Sequence, residues 1–266
     1  MRSTDSLGFV SNVQPGTTAT VRIPVGKTIE RLHLDLTNLA PADLSNIRLE
    51  LNTDLVLEYK DGAQMESLNV AYFVRNKESN RLTFDFKQDD ILKTVEEGRF
   101  FALGTQGLTT VQLKMDIASS VTDPRIEVFA ETVVGTLPGW MLQNKRLHTS
   151  SSVAGTFEID SFQIPAGAMI ARLHIYKPEG DISKATFEID RVKLFEAPKR
   201  IQNGILRDYG RAPQDNHFTI DWVLDGDMFH GVKMSKAIQD MRLKLELDSP
   251  GQVIVNIEYM APYGAI

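Results

Sequence analysis

The chain carries five histidines, His33, His148, His174, His217 and His230, and these are the first residues to test for chemistry. A divalent transition metal needs several imidazoles and a carboxylate converging on one point. No two of the five stand in His-x-His spacing. His33 and His174 fall on polar positions beside Arg31, Asp35 and Arg172, where a structural or solvent-facing imidazole is expected. Gly26-Lys27-Thr28 has the ending of a phosphate-binding loop, but that motif needs a glycine at position 21, which is Val21, and Pro24 interrupts it. Gly-x-Ser-x-Gly and His-Glu-x-x-His are absent. Asp221, Asp225 and Asp227 could together bind calcium, which favours several oxygen ligands. Their spacing departs from the calcium loop, and Asp225-Gly226 reads as a tight turn. Asp89-Asp90 and Glu96-Glu97 read as helix caps and solvated faces. Catalytic and cofactor-binding residues are therefore expected to be none, and a metal site is left unassigned.

The remaining charge is local. Basic residues gather at Asn144-Lys145-Arg146, Lys199-Arg200, Arg207 and Arg211, and could face anionic lipid. The net charge is −6, which argues against nucleic acid as a direct partner. Cysteine is absent, so disulfides, thiolate metal sites and cysteine nucleophiles are excluded. The opening segment, with one arginine and no long apolar run, does not read as a secretory signal, and no stretch is long and apolar enough to span a membrane. Synthesis and folding in a cytosol are expected.

Polar and apolar residues alternate through most of the chain, as in Arg31–Leu36, Ile47–Leu51, Leu82–Phe86, Val111–Met115, Phe218–Trp222, Leu243–Leu247 and Val253–Val255. Alternation of this kind marks antiparallel strands with one face in a core and the other in water. Residues 23–34 (IPVGKTIERLHL) and 164–175 (IPAGAMIARLHI) share seven of twelve positions at an offset of 141. Further blocks follow in the same order: 47–58 with 185–196, 82–86 with 218–222, 111–117 with 241–247, and Ile126, Val128 and Ala130 with Val253, Val255 and Ile257. Their offsets fall through 138, 136 and 130 to 127. Collinear blocks with a drifting offset indicate an internal duplication.

Helices are expected at Pro198–Gly210, with Ile201, Ile205, Leu206 and Tyr209 at helical spacing, in the matching slot 61–70, at 89–98 and at 235–241. The expected organisation is a first jelly roll over 1–140, a linker over 141–155 and a second jelly roll over 156–266. The fold class is all-β: two tandem eight-stranded jelly-roll sandwiches with short helices in the connecting loops.

The chain also resembles the major capsid proteins of the corticoviruses, membrane-containing icosahedral bacteriophages of marine bacteria. The resemblance is carried by Phe101–Thr110 (FALGTQGLTT), Lys114–Ile117, Val134–Trp140 (VGTLPGW), Asp208-Tyr209-Gly210, Thr219–Met228 (TIDWVLDGDM), Ile238–Leu245 (IQDMRLKL) and Glu258-Tyr259-Met260. Met1-Arg2-Ser3 and Ile23-Pro24-x-Gly26 agree as well. It implies a double jelly-roll subunit of the adenovirus-type lineage, not an enzyme. Homotrimeric pseudo-hexagonal capsomers would contact neighbouring capsomers, vertex and membrane proteins, and an internal lipid membrane enclosing double-stranded DNA. The protein would be made in the bacterial host cytoplasm and reside in the virion capsid. No cofactor is required; a structural calcium ion is implied without an assignable ligand. Two other readings use the same architecture. A carbohydrate-binding module would need exposed aromatics such as Trp140, since Trp222 alternates inward. A bicupin-type metalloenzyme would need a bound transition metal.

Overall fold

The computed structural model describes residues 2–264 apart from 9, 76, 77, 79 and 89–98. The helix expected at 89–98, with Asp89-Asp90 and Glu96-Glu97, lies outside the described residues. Each half of the chain is a sandwich of two antiparallel sheets. In the first half one sheet runs Ser3–Ser6, Arg125–Val133, Thr28–Thr37, Arg81–Asp85. The other runs Thr18–Arg22, Val111–Ile117, Leu44–Leu51, Asp54–Asp61. The second half repeats this order: Trp140–Ser151, Gly251–Pro262, Met169–Tyr176, His217–Asp221 in one sheet, and Gly155–Ile159, Met241–Leu247, Ile182–Ile189, Val192–Pro198 in the other. Two-residue strands at Leu103–Gly104 and Val232–Lys233 pair with the equivalent strands Thr28–Thr37 and Met169–Tyr176. Leu44–Leu51, Arg81–Asp85 and Val111–Ile117 map onto Ile182–Ile189, His217–Asp221 and Met241–Leu247 at offsets of 138, 136 and 130, as the sequence blocks do.

The alternating residues fill two separate cores. Leu32, Leu34, Val128 and Ala130 of one sheet meet Leu49, Leu51, Leu113 and Met115 of the other. In the second half Leu173, Ile175, Val255 and Ile257 meet Ala185, Phe187, Leu243 and Leu245. Burying one such aliphatic side chain contributes about 1.5–3 kcal/mol, so the two sheets of each half are held chiefly by these faces.

Four expectations change. The stretch 141–155 is not a linker: Trp140–Ser151 pairs along its whole length with Gly251–Pro262. It looks polar because its second face meets the first half, where Asn144 Oδ1 accepts the Glu58 N–H at 2.6 Å and Arg146 pairs with Glu58 at 3.2 Å. The helix α1 (Gly62–Glu66) forms in its expected slot and runs on as a π-helical turn, Ser67–Ala71. Asp61 caps it, its Oδ1 accepting the Gln64 N–H at 2.7 Å. The helix α2 (Lys199–Asp208) also forms, but it buries Gln202 and Leu206 and leaves Ile201, Ile205 and Tyr209 in solvent. Gln202 turns inward because its Nε2 donates to the Thr219 carbonyl at 2.8 Å. Residues 235–241 make a single turn rather than a helix. The N–H groups of Gln239 and Asp240 are drawn to the Asp190 carboxylate, at 3.0 and 2.9 Å, which ends any helical ladder.

The fourth concerns the wet faces. In the second half both faces of Met169–Tyr176 and of Gly251–Pro262 are buried. The polar positions there face the first half instead of water.

Gly62 is one position where the first half tolerates no side chain, since a Cβ would lie 2.3 Å from the Pro41 carbonyl oxygen. Gly62→Ala is expected to cost about 1–3 kcal/mol through forced backbone shifts. The check is a lower urea midpoint at unchanged m-value.

Candidate functional site: the junction between the halves

Arg172 stands at the centre of the face that the second half turns to the first. Strand register sets its partners: Arg172 lies opposite Asp221 on one side and opposite Glu258 on the other. Its Nε donates to Asp221 Oδ2 at 2.9 Å and its Nη1 to Glu258 Oε2 at 3.0 Å, and the guanidinium is fully buried. One row along, His174 lies opposite Thr219, with Nδ1 and Oγ1 3.3 Å apart. Its Nε2 is 3.8 Å from Glu258 Oε2.

The first half covers this row with the segment that follows the π-helical turn. Tyr72 OH donates to Asp221 Oδ2 at 2.8 Å, and the ring meets His174 edge-on at 5.0 Å. Three guanidiniums, those of Arg75, Arg172 and Arg211, lie 4.6, 4.9 and 4.8 Å from the Phe73 ring centre. Cation–aromatic attraction is strongest where water is excluded, which here holds for Arg172, while Phe73, Arg75 and Arg211 are half-buried.

The charges are fixed by this packing. Burial works to raise the Glu258 carboxyl, but its neighbours His174, 3.8 Å away, and Arg172, hydrogen-bonded to it, outweigh burial and bring its pKa down to about 2. Burial and then the Asp221 charge push the Tyr72 phenol well above its ordinary value, so it stays a donor. Tyr72→Phe is expected to destabilise the chain by about 1.5–3 kcal/mol, the usual contribution of a hydrogen bond to a charged group. A double-mutant cycle with Asp221→Asn would show the coupling.

The residues singled out from sequence are dispersed. His33 lies on the outer sheet of the first half, His148 beside Gln252, and His217 stacked on Tyr176 at 4.6 Å. His230 reaches Asp225 at 2.9 Å and Asp227 at 3.9 Å. Asp221 is turned away into the junction, so the three aspartates do not form one calcium cage. Among the described residues no three His, Asp or Glu converge as a metal site. Gly26 is a turn at φ +101°, its N–H donated to Thr105 Oγ1, and Lys27 pairs with Asp5 at 2.6 Å, which leaves no phosphate cradle. Lys145 donates to Gln163, Lys199 pairs with Asp181, and Arg200 and Arg207 are exposed. Trp140 stacks near Phe100 at 6.4 Å, and Trp222 packs half-buried on Phe187. No helix among the described residues is long and apolar enough to cross a membrane.

Sequence reasoning missed Tyr72, Phe73 and Glu258. The available signal was the arginine shared by Arg31 and Arg172 within the repeated block, a charge kept on both copies of an otherwise apolar pattern.

Two jelly rolls in tandem, joined in this chain across a buried ionic row, form the fold of double jelly-roll capsid subunits. A chain in the atomic structure of Sulfolobus Turreted Icosahedral Virus shares the fold, with a TM-score of 0.70 at 11% identity over 98% of this chain and 90% of that one. The PBCV-1 virus capsid shares it too, with a TM-score of 0.66 at 10% identity, covering 99% and 96%. Residues 4–133 match the family of the viral coat protein P2 N-terminal domain, and residues 141–263 that of its C-terminal domain. The major capsid protein P2 of Pseudoalteromonas phage PM2 is 32% identical over 98% of this chain and 97% of its own length. Its crystal structure superposes with a TM-score of 0.94 at 31% identity, covering 99% and 98%. The chain belongs to the viral coat protein P2 family, a family of structural capsid proteins and not of enzymes.

Proposed function

We propose that this major capsid protein forms homotrimeric, pseudo-hexagonal capsomers that tile an icosahedral shell around an internal lipid membrane. The observation that supports this reading is the equivalence of the two halves, which repeat one strand order in both sheets. Three chains then present six similar blocks, and head-to-tail contacts whose rotation closes give a ring instead of a filament. We place the division between the jelly rolls in the short segment 134–139. The acidic net charge suits a shell held away from the genome by lipid, with neighbouring capsomers and vertex and membrane proteins as partners. On this reading the protein is made in the bacterial host cytoplasm and ends in the virion.

Light scattering after gel filtration should give about three times the 29.8 kDa of one chain. A strict monomer at high concentration, with and without calcium, would overturn the trimer. Arg200 and Arg207, seven residues apart and so on one face of α2, are the candidates for lipid contact. Flotation with anionic vesicles should weaken in the double alanine variant. Equal flotation of both proteins would remove these residues from the membrane reading.

A further inference from the structure

The sheet face that carries Arg172 and His174 has one further row. Tyr176 lies opposite His217 on one side and opposite Ile254 on the other. Its ring stacks on the His217 imidazole, with 4.6 Å between centres and 28° between planes. Ile254 is buried and the two rings are half-buried. These three side chains floor an open groove of about 400 Å³ between the halves. Sites for small molecules span about 300–1,000 Å³.

The duplication did not supply this row. In the two rows beneath it, Arg172, His174, Thr219, Asp221 and Glu258 keep the residue types of Arg31, His33, Thr83, Asp85 and Glu131. Ile254, Tyr176 and His217 stand instead where the first half has Glu127, Asp35 and Arg81, also opposed across their strands. Three charged positions in one copy are thus two rings and an aliphatic side chain in the other, and the change falls where the groove opens.

Gln64 and Ser67 of the first half form one wall, and the segment 214–216 forms the other. Among the described residues the Tyr176 and Ser67 hydroxyls, Gln64 Nε2, Gln214 Oε1 and the Asn216 amide have no hydrogen-bond partner. Charge is scarce. Lys60 lies 3.5 Å from Asp61, and Asp215 is exposed at the rim. Burial brings the His217 imidazole down to about 4, so the ring is neutral at pH 7. An anion would meet two carboxylates, and a divalent cation would find no third one among the lining residues.

What the groove offers is a carbon floor under a rim of amides and hydroxyls. A pyranose has the matching surfaces: a C–H face that packs on rings, and hydroxyls that donate and accept as a carboxamide does. We propose that this groove is a binding site for a neutral saccharide, with Tyr176, His217 and Ile254 beneath the sugar ring and Gln64, Gln214 and Asn216 on its hydroxyls. The site is complete within one chain, so it stands apart from the trimer reading. Repetition over many subunits of one particle would multiply weak single-site binding.

The purified protein should bind on an array of neutral glucose, galactose, mannose and N-acetylglucosamine oligomers. Saturation-transfer NMR with the free sugar of the strongest spot should mark its ring protons. The rim variant Gln214→Ala with Asn216→Gly removes two amides, and glycine keeps the backbone at the φ of +56° that Asn216 adopts. It should weaken binding by about tenfold, equivalent to about 1.4 kcal/mol, at an unchanged melting temperature. Tyr176→Ala should abolish the transfer; if it also lowers the melting temperature, the rim variant carries the test. Silence across the array overturns the proposal, and so does binding that the rim variant leaves at full strength.

Discussion

Arg172→Ala is expected to lower the melting temperature by about 10 °C, the largest effect of any single side chain in the junction. Breaking a buried ion pair by removing one partner costs about 3–5 kcal/mol, and in a chain of this size each kcal/mol moves the midpoint by about 2–4 °C. The cost belongs mainly to the carboxylates left behind. Asp221 would keep the Tyr72 hydroxyl, whereas Glu258 would face only His174, with its carboxylate nearly sealed from water. The triple variant Arg172→Met, Asp221→Asn, Glu258→Gln removes the charge from all three positions and should recover most of the loss. Calorimetry checks both variants. A shift below about 2 °C for Arg172→Ala would mean that the carboxylates neutralise or reach water at little cost.

Acid should remove stability in two stages. Burial brings the His217 imidazole down from 6.5 to about 4. A base with a depressed pKa resists the proton that the unfolded chain takes up, so its contribution is complete above pH 6.5 and fades as pH falls toward 4. His33 and His148, also shifted down chiefly by burial, add to this first stage. Glu258 acts lower. Its carboxyl is held at about 2 against an ordinary 4.5, so its contribution is complete above pH 4.5 and is lost as pH falls through 2. That second stage is worth about 3 kcal/mol. Urea midpoints measured from pH 8 to pH 2 should decline in both windows. His217→Gln should flatten the upper one and leave the lower one in place. A wild-type midpoint constant between pH 7 and 4.5 would rule out the histidine stage.

The strands and their duplication were legible because burial on one face imposes a period of two, and because equivalent strands kept their offsets even where residues changed. Leu243, Leu245 and Leu247 fall on the core face as their spacing requires. What the polar face meets was not legible. An alternating Arg172 or Glu258 carries the same pattern whether its neighbour is water or another sandwich, and only the partner surface distinguishes them. The same ambiguity made 141–155 look like a linker, since Asn144 and Arg146 are polar for the sake of Glu58. In α2, Ile201, Ile205 and Tyr209 share a helical stripe, and inward packing was the natural reading. One side-chain amide, Gln202, rotates that stripe outward by bonding a strand carbonyl.

The pairing of Trp140–Ser151 with Gly251–Pro262 fixes an order of events on the ribosome. The first half can complete both sheets once Val133 has emerged, because Ser3–Ser6 and Thr28–Thr37 already await Arg125–Val133. The second half cannot close until the strand ending at Pro262 is made, since that strand lies between its first strand and Met169–Tyr176. Glu258 is the last member of the Arg172 row to be translated. Until it arrives, a finished sandwich holds Tyr72 and Phe73 ready beside an unfinished one. Strands this far apart in sequence pair late in both halves, Ser3 with Thr132 and Trp140 with Pro262, so the second half is the last to close.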